Sequence, residues 1–314
     1  MSLRLSVVMP LHEGQAYFDA ALSSLPDDQS GLLEVIVLDS GKRSDCAAIA
    51  LAHSGRLTIR YQHCPDVPSW TEKTNIAVRM ARATHVAMLH QDDLWLPDRL
   101  DAVIRALDTA SDAALFLTAA YIVDEDGRRL GMWRCPLTAR ADWDGASVVE
   151  RLLVQNFVAL PSVVMPRDIW LRTGGLDEGL WYTPDWDLYM KAAMLGPVHY
   201  IAEPTVGFRI HSGSQTMQGS RSHADFRAQM EMVMNRYADR VHGAQASAVR
   251  RVAAASVRIN GLMAEAMHGR KGALAIALVE LLRLGPLHMP RYFRDSRIVE
   301  RVLPRLRARL RSAT

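Results

Sequence analysis

The sequence predicts an α/β fold: a doubly wound sheet whose strands are covered by helices on both faces, followed by a helical C-terminal region. Three observations carry this expectation. Apolar, β-rich runs alternate with segments of helical periodicity through the first hundred residues. The runs are nearly continuous in hydrophobicity, as expected where both faces of a parallel sheet are buried. Beyond Ser220 the pattern is almost entirely helical.

Taken in order, the strands are LSVVMP (5–10), EVIVLDS (34–40), LTIRYQH (57–63) and THVAMLH (84–90). YFDAALSSL, CAAIALAHS and WTEKTNIAVRMARA supply the intervening helices, and LPDRLDAVIRAL the next one. AALFLTAAYIVDEDGRRLG reads as a strand, a DEDG turn and a short returning strand. An irregular stretch, Met132 to Thr183, holds helix candidates at Ala146 to Gln155 and Arg167 to Thr173. A further helix starts near Pro184, a residue suited to a first turn, and ends by Gly196. YIAEPTVGFRIHSGSQT reads as a strand and an exposed polar loop. Helical pattern then runs from Ala224 to Leu284 and again from Arg291, with Pro304 expected to interrupt the last helix. The division is an α/β unit at 1–219 and a helical region at 220–314, basic at its end.

The 314 residues, 49% hydrophobic, give ample material for a core. The net charge of +3 is uneven: Arg291 to Arg311 holds eight Arg against Asp295 and Glu300, a local +6 that leaves about −3 for the rest. That excludes a general nucleic-acid-binding surface and confines attraction for anionic partners to the C-terminal end. Cys46, Cys64 and Cys135 lack CxxC spacing, which argues for reduced thiols in a cytoplasmic setting and against a zinc site. The start, MSLRLSVVMPLHE, has no signal-peptide apolar core. The longest apolar stretch, Ala273 to Leu284, includes Glu280 and Arg283 and falls short of the ~20 residues that span a bilayer, so no integral membrane protein is expected.

In doubly wound folds ligands sit at the carboxyl ends of the strands, so the polar residues there are the candidates. They are His12 and Glu13 after the first strand, Asp39 after the second, and His90, Asp92 and Asp93 after the fourth. No GxGxxG or GxxxxGK[ST] follows any of them, so no glycine-rich phosphate cradle is written here. The adjacent Asp92 and Asp93 repel each other, and a hard divalent cation would relieve them; a helix-capping role before LPDRLDAVIRAL is the plainer alternative. Asp185 and Asp187 fall in the first turn of a helix, where carboxylates also favour the macrodipole. Arg209 and His211 alternate onto one strand face, able to meet a diphosphate or simply to face solvent. Lys73 points either to the same rim or to a solvated helix face. Trp181, Tyr182 and Trp186 are a sugar-stacking platform or packing.

In order, SVVMPLHEG, VIVLDSG, MLHQDDLWLPDRL, GGLDEGLWYTPDWDLYMKAAMLG and FRIHSGS resemble the family 2 glycosyltransferases, over roughly residues 4 to 215. The resemblance implies a GT-A type doubly wound mixed sheet and metal-assisted, inverting transfer of a sugar from a nucleotide-diphosphate sugar to an acceptor hydroxyl. It makes Asp92 and His211 the ligands of Mn²⁺ or Mg²⁺, with Asp93 beside them, although His90 stands where the family's DxD motif has its first carboxylate. It makes Asp185 the catalytic base, in an ED motif whose Glu is here Pro184. Pro10, His12, Glu13, Asp39, Lys73 and Arg209 become donor contacts. The implied setting is cell-surface polysaccharide or glycoconjugate synthesis on a saccharide or lipid-linked acceptor. The Arg-rich C-terminal helices are open to three roles: contact with the inner membrane face, packing on the catalytic domain, or a homodimer contact. Two rival functions stand beside it: an inactive nucleotide-sugar-binding protein, suggested by the altered motifs, and a nucleotidyltransferase, which also holds a nucleotide and metal on an α/β sheet. PLHEGQAYF lacks the glycine-rich basic cluster that the second would need.

Overall fold

A computed structural model describes residues 2–28, 30–139, 142–211 and 223–312. Four parallel strands open the chain: β1 (Leu5–Leu11), β2 (Leu33–Asp39), β3 (Ile59–His63) and β4 (His85–Met88), arranged β3-β2-β1-β4. Every residue of β1 and β2 is buried, because each face has its own helices. Leu5, Val7 and Met9 face α1 (Phe18–Ser23), α2 (Cys46–Ala52) and α4 (Arg99–Thr109), while Val8, Ile36 and Leu38 face α3 (Trp70–Met80). This two-sided burial is what erased the apolar-polar alternation in their sequences.

The sheet then becomes mixed. β8 (Val164–Pro166) lies antiparallel on β4, followed by β6 (Leu115–Val123), β9 (Val198–Arg209) and β5 (Leu94–Trp95). β6 also pairs with β7 (Arg129–Trp133) in the expected hairpin, where Gly127 takes the left-handed φ of 81° that its turn requires. β5 and β8, of two and three residues, are additions to the expected elements; neither is long enough to carry a periodicity. β4 ends at Met88 rather than His90, and β5 reverses onto β9. The acidic residues therefore occupy a tight turn, closed by Asp93 N–H donating to the His90 carbonyl at 3.1 Å. The helix cap is another residue, Asp98, so Asp92 and Asp93 are not capping groups.

α5 (Gly145–Val154), a 3₁₀ turn at Leu160–Ser162, α6 (Arg167–Arg172) and α7 (Pro184–Ala193) fill the middle of the chain. The start of α5 meets the end of α7 so closely that a Cβ on Gly145 would lie 1.8 Å from the Ala193 carbonyl oxygen. Among the described residues five helices follow: α8 (His223–Ala238), α9 (Ala246–Met267), α10 (Ala273–Arg283), α11 (Gly285–Ser296) and α12 (Ile298–Ser312). Val249, Val252 and Ala253 of α9 share a core with Val148, Val149 and Leu152 of α5. α12 returns to β7, pressing Pro304 so close to Gly131 that a Cβ there would meet its Cγ at 2.6 Å. Contrary to expectation α12 continues through Pro304, which costs one backbone hydrogen bond but places the ring against β7. The polar loop expected after His211 falls on residues 212–222, outside the described residues.

Candidate active site

The carboxyl ends of β1, β4 and β9 open into a cavity of about 740 Å³. Pro10, His12, Glu13, Lys73, Asp92, Asp93, Asp185, Arg209 and His211 all line it, so residues spread over two hundred positions converge as the strand-end argument requires. Asp39 does not reach the wall. Its Oδ2 accepts from the Tyr61 hydroxyl at 2.5 Å and its Oδ1 from Gly41 N–H at 2.8 Å, and the residue is 1% exposed.

The loop after β1 is fixed by side chains from its neighbours. Gln91 bonds the His12 backbone twice, accepting from its N–H at 2.8 Å and donating to its carbonyl at 3.1 Å. This amide extends the ladder between β1 and β4 past the point where the strands diverge. Glu13 takes a left-handed φ of 48° and accepts from Lys42 N–H at 3.1 Å, a bond that lowers its pKa. Lys73, 1% exposed, donates from Nζ to the Leu11 carbonyl at 2.6 Å and to Ser40 Oγ, joining the ends of β1 and β2. Burial pulls its pKa down to about 8.

Across the floor lies the acidic turn. The ligand atoms of His90, Asp92 and Asp93 lie within 4.8 Å of one another. His211 Nε2 sits 2.9 Å from Asp92 Oδ2, and Arg209 fastens the turn from β9, its N–H on Asp93 Oδ1 at 3.0 Å and its Nε on the Asp92 carbonyl at 2.7 Å. The other end of Arg209 donates to the carbonyls of Asp124 and Glu125 at 3.0 and 2.6 Å, tying in the β6–β7 turn. Burial opposes the Asp92 charge, but the hydrogen bond with His211 and the nearby imidazoles outweigh it and hold its carboxyl below the usual range. Asp93 is pushed well above that range by burial and by the Asp92 charge. Burial takes His90 down to about 4, and its ring stands edge-on to Trp70 at 5.1 Å.

Two buried atoms in this group, His90 Nε2 and Asp93 Oδ2, have no hydrogen-bond partner. Orphaned buried polar atoms are costly. Together with Asp92 they form a nitrogen and carboxylate donor set that fits a divalent cation such as Mn²⁺. His90, where a carboxylate was expected, thus belongs to the group by position, and His211 joins it through Asp92.

Also lining the cavity, Asp185 stands in the first turn of α7 and accepts from Asn156 Nδ2 at 2.9 Å. Burial raises its pKa to about 6, partly offset by the Trp186 backbone N–H and by Asn156. Its neighbour Asp187 is 0% exposed and structurally committed, to Arg236 Nη1 at 2.6 Å, the Tyr237 hydroxyl at 2.7 Å and Lys191 Nζ at 2.7 Å. Of the aromatic trio, Trp186 is packing, 2% exposed with its indole N–H on the Leu152 carbonyl at 2.8 Å. All three line the cavity, Trp181 and Tyr182 with more exposed surface than Trp186.

Residues 6–151 match the family model described as "Glycosyl transferase family 2". Residues 6–151 are a family 2 glycosyl transferase domain. An uncharacterized glycosyltransferase of Rickettsia typhi is 22% identical over 218 residues, 67% of this chain and 65% of the relative, so the chain spans just under two thirds of that relative's length. An O-antigen biosynthesis glycosyltransferase of Escherichia coli, WbnJ, is 24% identical over 224 residues, 68% of this chain and 84% of its own. Among solved structures, residues 1–349 of S. aureus TarS superpose with a TM-score of 0.63 at 14% identity, covering 98% of this chain and 89% of that one. A mannosyltransferase of Pyrobaculum calidifontis, solved in complex with GDP-Man and Mn²⁺, gives a TM-score of 0.50 at 18% identity over 98% and 87% of the two chains. The chain thus has the GT-A type mixed sheet with a helical C-terminal region.

Four lining residues carry no sequence signal of their own. Gln91 hides beside the acidic pair, and Asn156 follows a helix by two residues. Arg301 and Arg305 of α12 enter the cavity from more than a hundred residues beyond Asp185. Their i, i+4 spacing was visible, but only the return of α12 to β7 turns it toward the site.

Proposed function

We propose that this chain moves a sugar from a nucleoside-diphosphate sugar to an acceptor hydroxyl, with inversion at the anomeric carbon. One observation carries the reading: the half-buried Asp185 carboxylate shares a cavity with the His90, Asp92 and Asp93 group. That arrangement puts a proton acceptor and a diphosphate-binding centre into one cavity. A Mn²⁺ or Mg²⁺ ion held by Asp92, with His90, Asp93 and His211 around it, would offset the charge of the departing diphosphate. The loop of Pro10, His12 and Glu13, braced by Gln91 and Lys73, would hold the nucleoside.

Asp185, with a pKa of about 6, is ionised at neutral pH yet basic enough to take the proton of an attacking hydroxyl. Asn156 fixes its rotamer through Oδ2. Arg209 brings positive charge to the diphosphate side of the cavity. Direct displacement needs no covalent enzyme intermediate.

Calorimetry tests the donor half of this reading. Asp92→Ala is expected to remove the Mn²⁺-dependent part of nucleoside diphosphate binding. Equal affinity with and without Mn²⁺ in the unsubstituted chain would refute the role of Asp92.

The setting we favour is cell-surface polysaccharide or glycoconjugate synthesis, at the inner face of the membrane, with a saccharide or lipid-linked acceptor. Similarity to the E. coli O-antigen enzyme supports it. No single helix among the described residues is long and apolar enough to cross a membrane. However, Leu274, Leu278, Leu282 and Leu287 are 55 to 86% exposed on α10 and α11, beside the exposed Arg283, which suits an anionic lipid surface. Leu278→Asp with Leu282→Asp should abolish co-sedimentation with anionic vesicles. Retained sedimentation would refute the contact, and loss of a dimer in light scattering would assign this face to a second copy instead.

A further inference from the structure

The cavity has a wall that the transfer chemistry leaves unused. Arg301 and Arg305, one turn apart on α12, line it together. Neither is needed to dock the helix. Glu300 accepts from Arg134 N–H at 2.8 Å and from its Nη1 at 3.0 Å, Arg307 donates to the Leu130 carbonyl at 2.7 Å, and Pro304 seals the contact with Gly131.

The two guanidinium groups have little else to hold. Arg305 Nη1 donates to the Arg301 carbonyl at 2.5 Å and Arg301 Nη1 to the Ser296 carbonyl at 3.5 Å, one nitrogen of each. Neither pairs with a carboxylate among the described residues; Glu300, the acid beside them, is spent on Arg134 and Arg297. Residues 212–222 contain no Asp or Glu. Burial lowers both pKa values, that of Arg305 to about 10, and the charge of Arg301 adds to the effect there. Like charges one helical turn apart repel, and desolvation adds to the cost. An anion held between them would offset that cost through charge-assisted hydrogen bonds.

Tyr182 and Trp133 are their neighbours in the cavity. The Tyr182 hydroxyl, displaced upward in pKa chiefly by burial, feels the charges of Arg301, Arg305 and Asp185 together. Arg305 also lies over the Trp133 ring at 5.9 Å. The pair thus shares a neighbour, Tyr182, with Asp185, and on the glycosyl-transfer reading Asp185 is where the attacking hydroxyl arrives.

We propose that Arg301 and Arg305 form an oxyanion subsite that grips a phosphate or carboxylate carried by the acceptor. The word acceptor rests on the glycosyl-transfer reading; the anion site rests on the two arginines alone. Each guanidinium presents a planar fork that matches either oxyanion, and two forks one turn apart would hold the acceptor at two points.

The test titrates the full chain with inorganic phosphate, glycerol phosphate and glucuronate, followed by tryptophan fluorescence, with and without saturating nucleoside diphosphate and Mn²⁺. Saturable binding of at least one anion is expected, and the stronger arm names the group. Arg301→Gln with Arg305→Gln should weaken it about tenfold or more, the loss of charge-assisted bonds. Arg301→Lys with Arg305→Lys should keep part of it, which separates charge from folding. Nucleoside diphosphate affinity should change by no more than about twofold in either variant, well inside a tenfold step. Unchanged anion affinity in the Gln variant would overturn the proposal. So would nucleotide affinity falling in step with anion affinity, because the arginines would then serve the donor's diphosphate. A chain that binds anions through these arginines but no nucleoside diphosphate would sink the glycosyl-transfer reading and leave the anion site standing.

Discussion

Asp185→Asn should make the protein both more stable and nearly inactive, an opposition that a purely structural carboxylate would not produce. Burial raises the Asp185 pKa from an ordinary 3.8 to about 6. Folding therefore binds its proton more tightly than the unfolded chain does. Stability falls as pH rises from the unfolded value through the folded one, and above that window the full cost is present. Two units correspond to at most about 3 kcal/mol. Asparagine removes that cost but weakens the bond from the Trp186 backbone N–H, about 1 kcal/mol, leaving a net gain near 2 kcal/mol. Urea unfolding at pH 7 should show this gain, and the gap between the two proteins should close as pH approaches 4. Turnover with a nucleotide sugar should fall on the order of 10²-fold or more, the usual loss of a general base. In the unsubstituted enzyme kcat/KM should drop about tenfold per unit below pH 6, because the base must be ionised in the free enzyme. Turnover within a few-fold of the parent, or a variant less stable at pH 7, would refute this reasoning.

Asp187→Asn should behave in the opposite way, losing about 2 to 4 kcal/mol in urea unfolding while nucleotide affinity is unchanged, because it strips Arg236 and Lys191 of their buried partner. Gly145→Ala should cost at least about 2 kcal/mol, since its Cβ would lie 1.8 Å from the Ala193 carbonyl oxygen and both helix ends would have to shift. Gln91→Ala should loosen the β1 loop and weaken nucleoside diphosphate binding about tenfold by calorimetry, with thermal stability reduced by only about 1 kcal/mol; equal affinity would remove this loop from the donor site.

The first four strands and their helices were legible because both are long enough for hydrophobic pattern to declare them. β5 and β8 were not, since two or three residues carry no period, and yet β5 turns Asp93 back toward Arg209. The acidic turn was visible as a repelling pair, but only the positions of β5 and Asp98 distinguish it from a helix cap. Asp185 and Asp187 look alike in the sequence; the difference lies in α8, whose Arg236 and Tyr237 bind Asp187 and not Asp185. Asp39 reads as a strand-end ligand, and its register with His63 on β3 puts it beside Tyr61, which binds it first. The basic C-terminal helix was legible only as a helix open to a membrane surface, the catalytic domain or a second copy; the seating of Pro304 against Gly131 turns two of its arginines into the cavity.

The most direct measurement is of nucleoside diphosphate release and product configuration when the full chain meets a panel of nucleotide sugars, Mn²⁺ and candidate acceptors, followed by NMR. Glycosyl transfer as outlined gives stoichiometric nucleoside diphosphate and a product whose anomeric configuration is opposite to the donor's, both lost in Asp185→Asn. A product that retains the donor's configuration, or undiminished transfer by Asp185→Asn, would contradict it.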